Sequence, residues 1–193
     1  GDFKDIAAAF ARRSWLPAEE TYATAAWKTI KSFLFGSRYR YSPVSPLYFF
    51  ERHQDLARQK PRHDIHERNH LRLWYTRFRY QDRPVFVGQV SRDIGVRFTM
   101  KARPPVTHKI DPDIDEARHA LVEDLIFSQM LAKVGWVKGV GPARPTKPRT
   151  NLTGDPYFTD GYRTVLIIDQ GPIALDQVKA LDWDRPRTFH LGS

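Results

Sequence analysis

Thr107-His-Lys-Ile-Asp-Pro-Asp-Ile-Asp-Glu-Ala-Arg118 is the stretch in which an extended segment gives way to a helix. It holds one histidine, four acids and one arginine in twelve residues. Counted from Asp111, the alternating acids do not make an EF-hand loop. That loop needs glycine sixth and glutamate twelfth, where this chain has Glu116 and Val122. They do suit a helix start. Asp111 is read as the N-cap and Pro112 as the first helical residue, with Asp113, Asp115 and Glu116 against the positive end of the helix dipole. His108 beside these acids keeps a chemical role open as well, as a metal ligand or general base.

Upstream of the junction, Leu71, Leu73 and Tyr75 alternate with His70, Arg72 and Trp74, so the latter three share one face of a strand. A turn at residues 81–84 leads to a second strand over 85–91, and the pair is expected as an antiparallel hairpin with a loop longer than minimal. Gly88 is read as a bulge or a close backbone approach. A turn over 91–95 and a third strand over 96–100 follow. Residues 51–69 read as a short charged stretch and a polar, basic loop holding His63 and His66.

The first residues read as the start of a helix, not a signal peptide. Helical spacing runs to about Arg13, and Pro17 is expected to open a second helix ending at Gly36, with Ala23, Ala26, Trp27, Ile30, Phe33 and Leu34 as its stripe. Residues 41–50 carry two prolines into a short strand. Downstream of the junction, the helix is expected to run to about Gly135 on Ile114, Ala117, Leu121, Leu125 and Met130. A short strand over 136–140, a Pro-rich basic loop and a turn-rich segment over 151–161 come next. Residues 164–168 are apolar on both faces and read as a central strand. Residues 169–193 read as a peripheral tail on which Trp183 packs down.

The order of these elements predicts an α+β domain. A largely antiparallel sheet carries two N-terminal helices and one longer helix, in a single domain over 1–193 with its core over 6–168. The length of 193 residues suits one domain with a sizeable core. No apolar run approaches the ~20 residues that span a bilayer. The absence of cysteine excludes disulfides, thiolate metal sites and cysteine nucleophiles.

Net charge is +9, and residues 52–103 alone hold thirteen Lys or Arg against five Asp or Glu. Such a surface attracts phosphorylated ligands, anionic lipid headgroups or nucleic acid. No RNA- or DNA-binding signature accompanies it, so nucleic acid is not favoured.

Six motifs in order resemble the LssY C-terminal domain family: Ser42-Pro-Val-Ser-Pro46, Arg52-His-Gln-Asp55, Asn69-His-Leu-Arg-Leu-Trp74, Val87-Gly-Gln-Val-Ser-Arg-Asp-Ile-Gly95, Thr107-His-Lys-Ile-Asp-Pro-Asp-Ile-Asp115 and Gly154-Asp-Pro-Tyr-Phe-Thr-Asp-Gly161. The likeness spans residues 6–168. Three departures stand out: Glu51 replaces a usual glycine, Asn69 a common second histidine, and Ala117 the glutamate usual before arginine. The resemblance implies a bacterial domain attached to a membrane-spanning module, of lipid-phosphatase or DedA type, with links to secretion. It implies no defined chemistry.

Two functions are weighed. In the first, a soluble domain of a membrane-associated protein binds an anionic headgroup or phosphorylated ligand through Arg52, Arg72, Arg92 and Arg118, with Trp74 and Asp55 beside them. In the second, a phosphoester hydrolase uses His108, His70 and Asp111 as catalytic groups. A divalent metal is a possible cofactor there, held by His108, His70, Asp93, Asp111, Asp155 and Asp160. A structural or protein-interaction role is the third alternative.

Overall fold

The computed structural model describes residues 1–18, 47–49, 51–62, 67–98, 106–151 and 154–181, without the side chains of 96–98 and 106–108. Helix α1 (Phe3–Arg12) is fixed at its start by a capping box. The Asp2 carboxylate accepts from the backbone of Lys4 and Asp5, and the Asp5 carboxylate accepts from Asp2 N–H at 2.6 Å. The helix ends where Ser14 takes a left-handed φ of 60° and Trp15 turns under it against Phe10. Pro17 opens no helix. It forms β1 (Leu16–Pro17), a proline strand at the edge of a sheet, where a missing N–H costs nothing. The expected helical stripe over 23–34, with Gly36, lies outside the described residues. So do residues 41–46, His63, His66 and Trp183.

The main sheet runs β1-β4-β5-β6-β7, every neighbouring pair antiparallel. Its strands after β1 are β4 (Leu56–Pro61), β5 (Glu67–Tyr80), β6 (Arg83–Phe98) and β7 (Val106–Ile110). A small hairpin of β2 (Tyr48–Phe49) and β3 (Arg52–His53) precedes them. The basic loop expected before Asn69 is largely strand. The hairpin loop between β5 and β6 is minimal, not long: Gln81 and Asp82 both have positive φ, the mirror-image turn whose twist matches the strands, and Tyr80 pairs with Arg83. Gly88 sits in unbroken register opposite Leu73, a close approach and not a bulge. The turn expected over 91–95 is instead an irregularity within one long strand. The register shifts between Asp93 and Val96, with Gly95 at φ 146°, and β6 continues.

Helix α2 (Ile114–Phe127) starts two residues later than expected. Asp113 is the N-cap, accepting from Asp115 N–H at 3.1 Å. Asp111 does the same job one step earlier, accepting from Asp113 N–H at 3.0 Å. These are successive Asx turns, which alternating aspartates permit. The helix also stops early. Ser128 Oγ bonds Leu125 O, Gln129 adopts φ 60°, and the apolar residues after it belong to β8 (Leu131–Lys138).

The second sheet has the order β11-β8-β12, with β11 (Tyr162–Ile168) antiparallel and β12 (Lys179–Ala180) parallel to β8. Among the described residues, 164–168 therefore lie at an edge, not in the centre; their second apolar face reflects packing against α1 and the core. Part of the expected tail is tied to this sheet: β12 pairs with β8, Leu181 is buried, and a Cβ on Gly135 would lie 2.5 Å from its Cβ. Two short strands, β9 (Arg149–Thr150) and β10 (Pro156–Tyr157), pair with each other.

The core explains why the two faces of the main sheet differ. Leu56, Leu71 and Leu73 share one face and pack with Ala9, Phe10 and Trp15, with Leu121, Val122 and Leu125 of α2, and with Leu131, Val134 and Trp136 of β8. The described residues thus form an α+β structure with a mostly antiparallel sheet. No helix among them is long and apolar enough to cross a membrane.

Candidate functional site

The opposite face of the main sheet is polar yet buried. Cross-strand partners share a face, so the register places Gln59, His70 and Ser91 in one row, Arg68 beside Asp93 in the next, and Arg72 beside Gln89 on the other side. Exposure is 0% for Gln59, 4% for Arg68, His70 and Asp93, and 7% for Arg72. Charged groups are almost never this buried without specific polar company.

His70 Nε2 lies 2.6 Å from Asp93 Oδ2. Arg68 Nη1 donates to Gln59 Oε1 at 3.0 Å, and Arg72 Nη1 donates to Gln89 Oε1 at 2.9 Å. Burial lowers the pKa of Arg72 to about 10, against the opposing pull of the Asp93 charge, so it stays a cation at neutral pH. Among the described residues this face holds two guanidiniums and an imidazole against one carboxylate.

Trp74 closes one end of the row. Its Nε1 donates to Arg52 O at 3.1 Å, and its ring meets Phe49 at 5.8 Å. Arg52 grips Asp55 through Nη2, at 2.9 and 3.2 Å, and the same carboxylate accepts from Tyr75 N–H at 2.7 Å. Arg52 and Asp55 are therefore an exposed clasp at the edge, not part of the buried row.

The remaining expected site residues are elsewhere. Arg92 and Asp93 alternate along β6 and point to opposite faces. Arg92 reaches the start of α2, donating to Asp111 Oδ2 at 3.5 Å and Glu116 Oε2 at 3.4 Å. Arg118 forks onto Asp160 at 2.8 and 2.6 Å and also donates to Tyr162 O. Asp115 accepts from Thr159 Oγ1 and Asp160 N–H, each at 2.7 Å. Asp155 pairs with Asn151. Gly161 permits this knot, because a Cβ there would lie 2.3 Å from the carbonyl carbon of Gly141.

Electrostatics agree with a structural knot. Burial raises the Asp113 carboxyl; the N–H groups of Asp115 and Glu116 pull it down, and the charges of the same two residues add to the raise. Burial would also raise Asp160, but the Arg118 guanidinium and Tyr162 N–H hold it below the usual carboxylate value.

The proposed metal set is thus divided. His70 and Asp93 meet on the sheet face, while Asp111, Asp155 and Asp160 are engaged at the α2 start and its loops. His108 is placed in β7 opposite Val96, its side chain lying outside the described part. Among the described residues no group of three or more His, Asp or Glu side chains is arranged to hold a metal ion.

Arg68, Gln59 and Ser91 are additions to the residues singled out from sequence. The alternation through His70, Arg72 and Trp74 extends back to Arg68, and that was the available signal. Another buried charge, Asp124 in the last turn of α2, accepts from Trp15 Nε1 at 2.9 Å, Lys60 Nζ at 2.5 Å and Arg13 Nε at 3.4 Å. No sequence signal marked it.

A family model described as LssY C-terminus matches residues 1–162. No curated protein and no solved structure matches the chain.

Proposed function

We propose that this chain, which belongs to the LssY C-terminus family, captures an anionic ligand, a phosphorylated molecule or a lipid headgroup, on the buried face of its main sheet. The observation that carries this reading is the concentration of Arg68, Arg72 and the His70–Asp93 pair on one water-poor face. Guanidinium forks match phosphate oxygens, and charge-assisted hydrogen bonds gain strength as water is excluded. Of the arginines expected from sequence, Arg72 lies on this face. Arg92 and Arg118 lie elsewhere, at the α2 start and against the 159–162 segment. Attachment of the domain to a membrane-spanning module belongs to the same proposal and is consistent with the net charge of +9.

The test is thermal unfolding with inorganic phosphate, pyrophosphate and glycerol phosphate, sulfate serving as the comparison anion. A phosphate ligand at ~100 times its Kd stabilises by ~2.7 kcal/mol. Arg72→Gln and Arg68→Gln are expected to abolish that shift while remaining folded by circular dichroism. If no phosphate compound shifts the wild-type transition, or if both variants respond as wild type does, the reading fails.

Phosphoester hydrolysis is the second reading, and the 2.6 Å His70–Asp93 pair favours it. An imidazole oriented by a carboxylate and placed beside arginines is suited to proton transfer to a leaving oxygen. The same phosphoesters are followed for phosphate release, with and without divalent cations. Turnover that disappears in His70→Asn would convert the binding face into an active site.

A further inference from the structure

The long hairpin outgrows its sheet. β4 pairs with β5 only through residues 68–73, and β7 pairs with β6 only through residues 93–98. Among the described residues, 75–86 therefore form a two-stranded arm in which β5 and β6 pair only with each other, with a register irregularity between Tyr75 and Arg79 and the Gln81-Asp82 turn at its end. Beyond the Tyr75–Phe86 pair the shorter strand adds three residues, 83–85, which extend the arm by roughly 10 Å.

The arm exposes what a protein surface normally hides. Phe78 is 69% exposed, and Tyr75 and Tyr80 are each 41% exposed. Arg77 and Arg79 are exposed between these rings. Asp82 is the one acid of the tip. The arm's root is fixed: Thr76 Oγ1 donates to Val85 O at 2.7 Å, Tyr75 packs edge-on to Phe86, and Arg83 leans to Asp169 at 3.7 Å. The β2–β3 hairpin joins it through Arg52 Nη1 to Tyr75 O at 3.4 Å and exposes Tyr48 at the same end.

We infer that this arm docks on an anionic lipid surface, with the Phe78 ring entering the bilayer interface and Arg77 and Arg79 meeting the headgroups. The rings and charges are those of an interfacial anchor. Tyrosines suit the headgroup level, a phenyl ring with no polar handle suits the region below it, and arginines are drawn to the negative leaflet. Single-stranded nucleic acid is bound instead by a charged groove with rings along it; a projecting tip supplies no groove. The inference extends the membrane-side part of the reading above and stands independently of any phosphate bound on the buried face.

A chain without cysteine allows a single fluorophore to be placed by Phe78→Cys, with Thr146→Cys in the exposed 144–147 loop, outside the arm, as the control. Phosphatidylcholine vesicles with and without phosphatidylglycerol are the probes. The label at 78 is expected to shift to the blue with anionic vesicles, and the label at 146 is not. In unlabelled sedimentation assays, Arg77→Ala and Arg79→Ala should each weaken binding ~5-fold, from ~1 kcal/mol per basic residue. Phe78→Ser should weaken it further, and Thr146→Ala, outside the arm, should not. The inference is overturned if anionic vesicles are not bound, or if an oligonucleotide is bound in their place. It is also overturned if binding survives the arm variants and is lost in Arg72→Gln, which would assign headgroup capture to the buried face alone.

Discussion

Asp124 and Arg68 mark the two ways in which a single residue escapes a reading of sequence. Asp124 is an acid in the last turn of a helix, where a carboxylate meets the negative end of the helix dipole. Here the helix presses it against β4, where it gathers Trp15, Lys60 and Arg13. Lys60 and Arg13 keep partial solvent access, at 25% and 35% of their side chains, so the pairing is discounted from the several kcal/mol of a fully buried pair. Asp124→Asn keeps an acceptor for Trp15 but removes the charge. It is expected to cost ~2 kcal/mol in urea unfolding at unchanged slope; a loss below ~0.5 kcal/mol would show the pair to be no more than a surface contact. Arg68 was hidden differently. Strand periodicity was clear at His70, Arg72 and Trp74, whose shared face is as expected. The strand's earlier start, which puts Arg68 on that face, was masked by the polar composition before Asn69.

At the scale of elements, the junction at residues 107–118 was legible as a strand turning into a helix, and its acids indeed serve the turn. The two-residue error at its start has a physical source. Asp111 and Asp113 offer the same side-chain chemistry, and both accept from the backbone two residues on. The α2 end was misplaced because Leu131, Ala132 and Val134 satisfy helix and strand spacing alike. Glu51 shows the opposite case: it holds φ 60° in the β2–β3 turn, a conformation that glycine takes without strain and that composition did not announce.

The knot of Asp115, Arg118 and Asp160 makes a prediction about pH. The folded pKa of Asp160 is depressed, so its contribution to stability is fully present above the unfolded value near 3.8 and is lost as pH falls through the lower folded value. The wild-type protein should therefore lose stability through this group below about pH 4. Asp160→Asn should be less stable at neutral pH and show a shallower acid decline in urea midpoints. Parallel acid limbs for the two proteins would remove Asp160 from the linkage.

For the whole molecule, the two sheets depend on chain beyond the matched family segment. That segment ends at residue 162, within the first residue of β11, yet β8 is paired on one side by β11 and on the other by β12. β8 is also the strand that brings Leu131, Val134 and Trp136 into the core shared with the main sheet. Stopping at residue 162 would expose both edges of β8 and remove Leu166, Ile168 and Leu181 from contact with it. Stopping at residue 168 would restore β11 but leave Gly135 facing the space that Leu181 fills. It would also remove the backbone bonds of Asp169 and Ile173 to Met130 and Gln129, and of Leu181 to Val134. Unpaired backbone at a buried edge is costly, and burial of Leu181 alone accounts for ~2 kcal/mol. The expected order of stability in urea is therefore full chain, then the chain ending at 168, then the chain ending at 162, which should lack a cooperative transition. Hydrogen exchange adds the discriminating measurement: in the chain ending at 168, amides of β8 on the β12 side should lose protection while those of β5 and β6 keep it. Equal protection along β8 in both proteins would mean that β12 contributes nothing to the sheet.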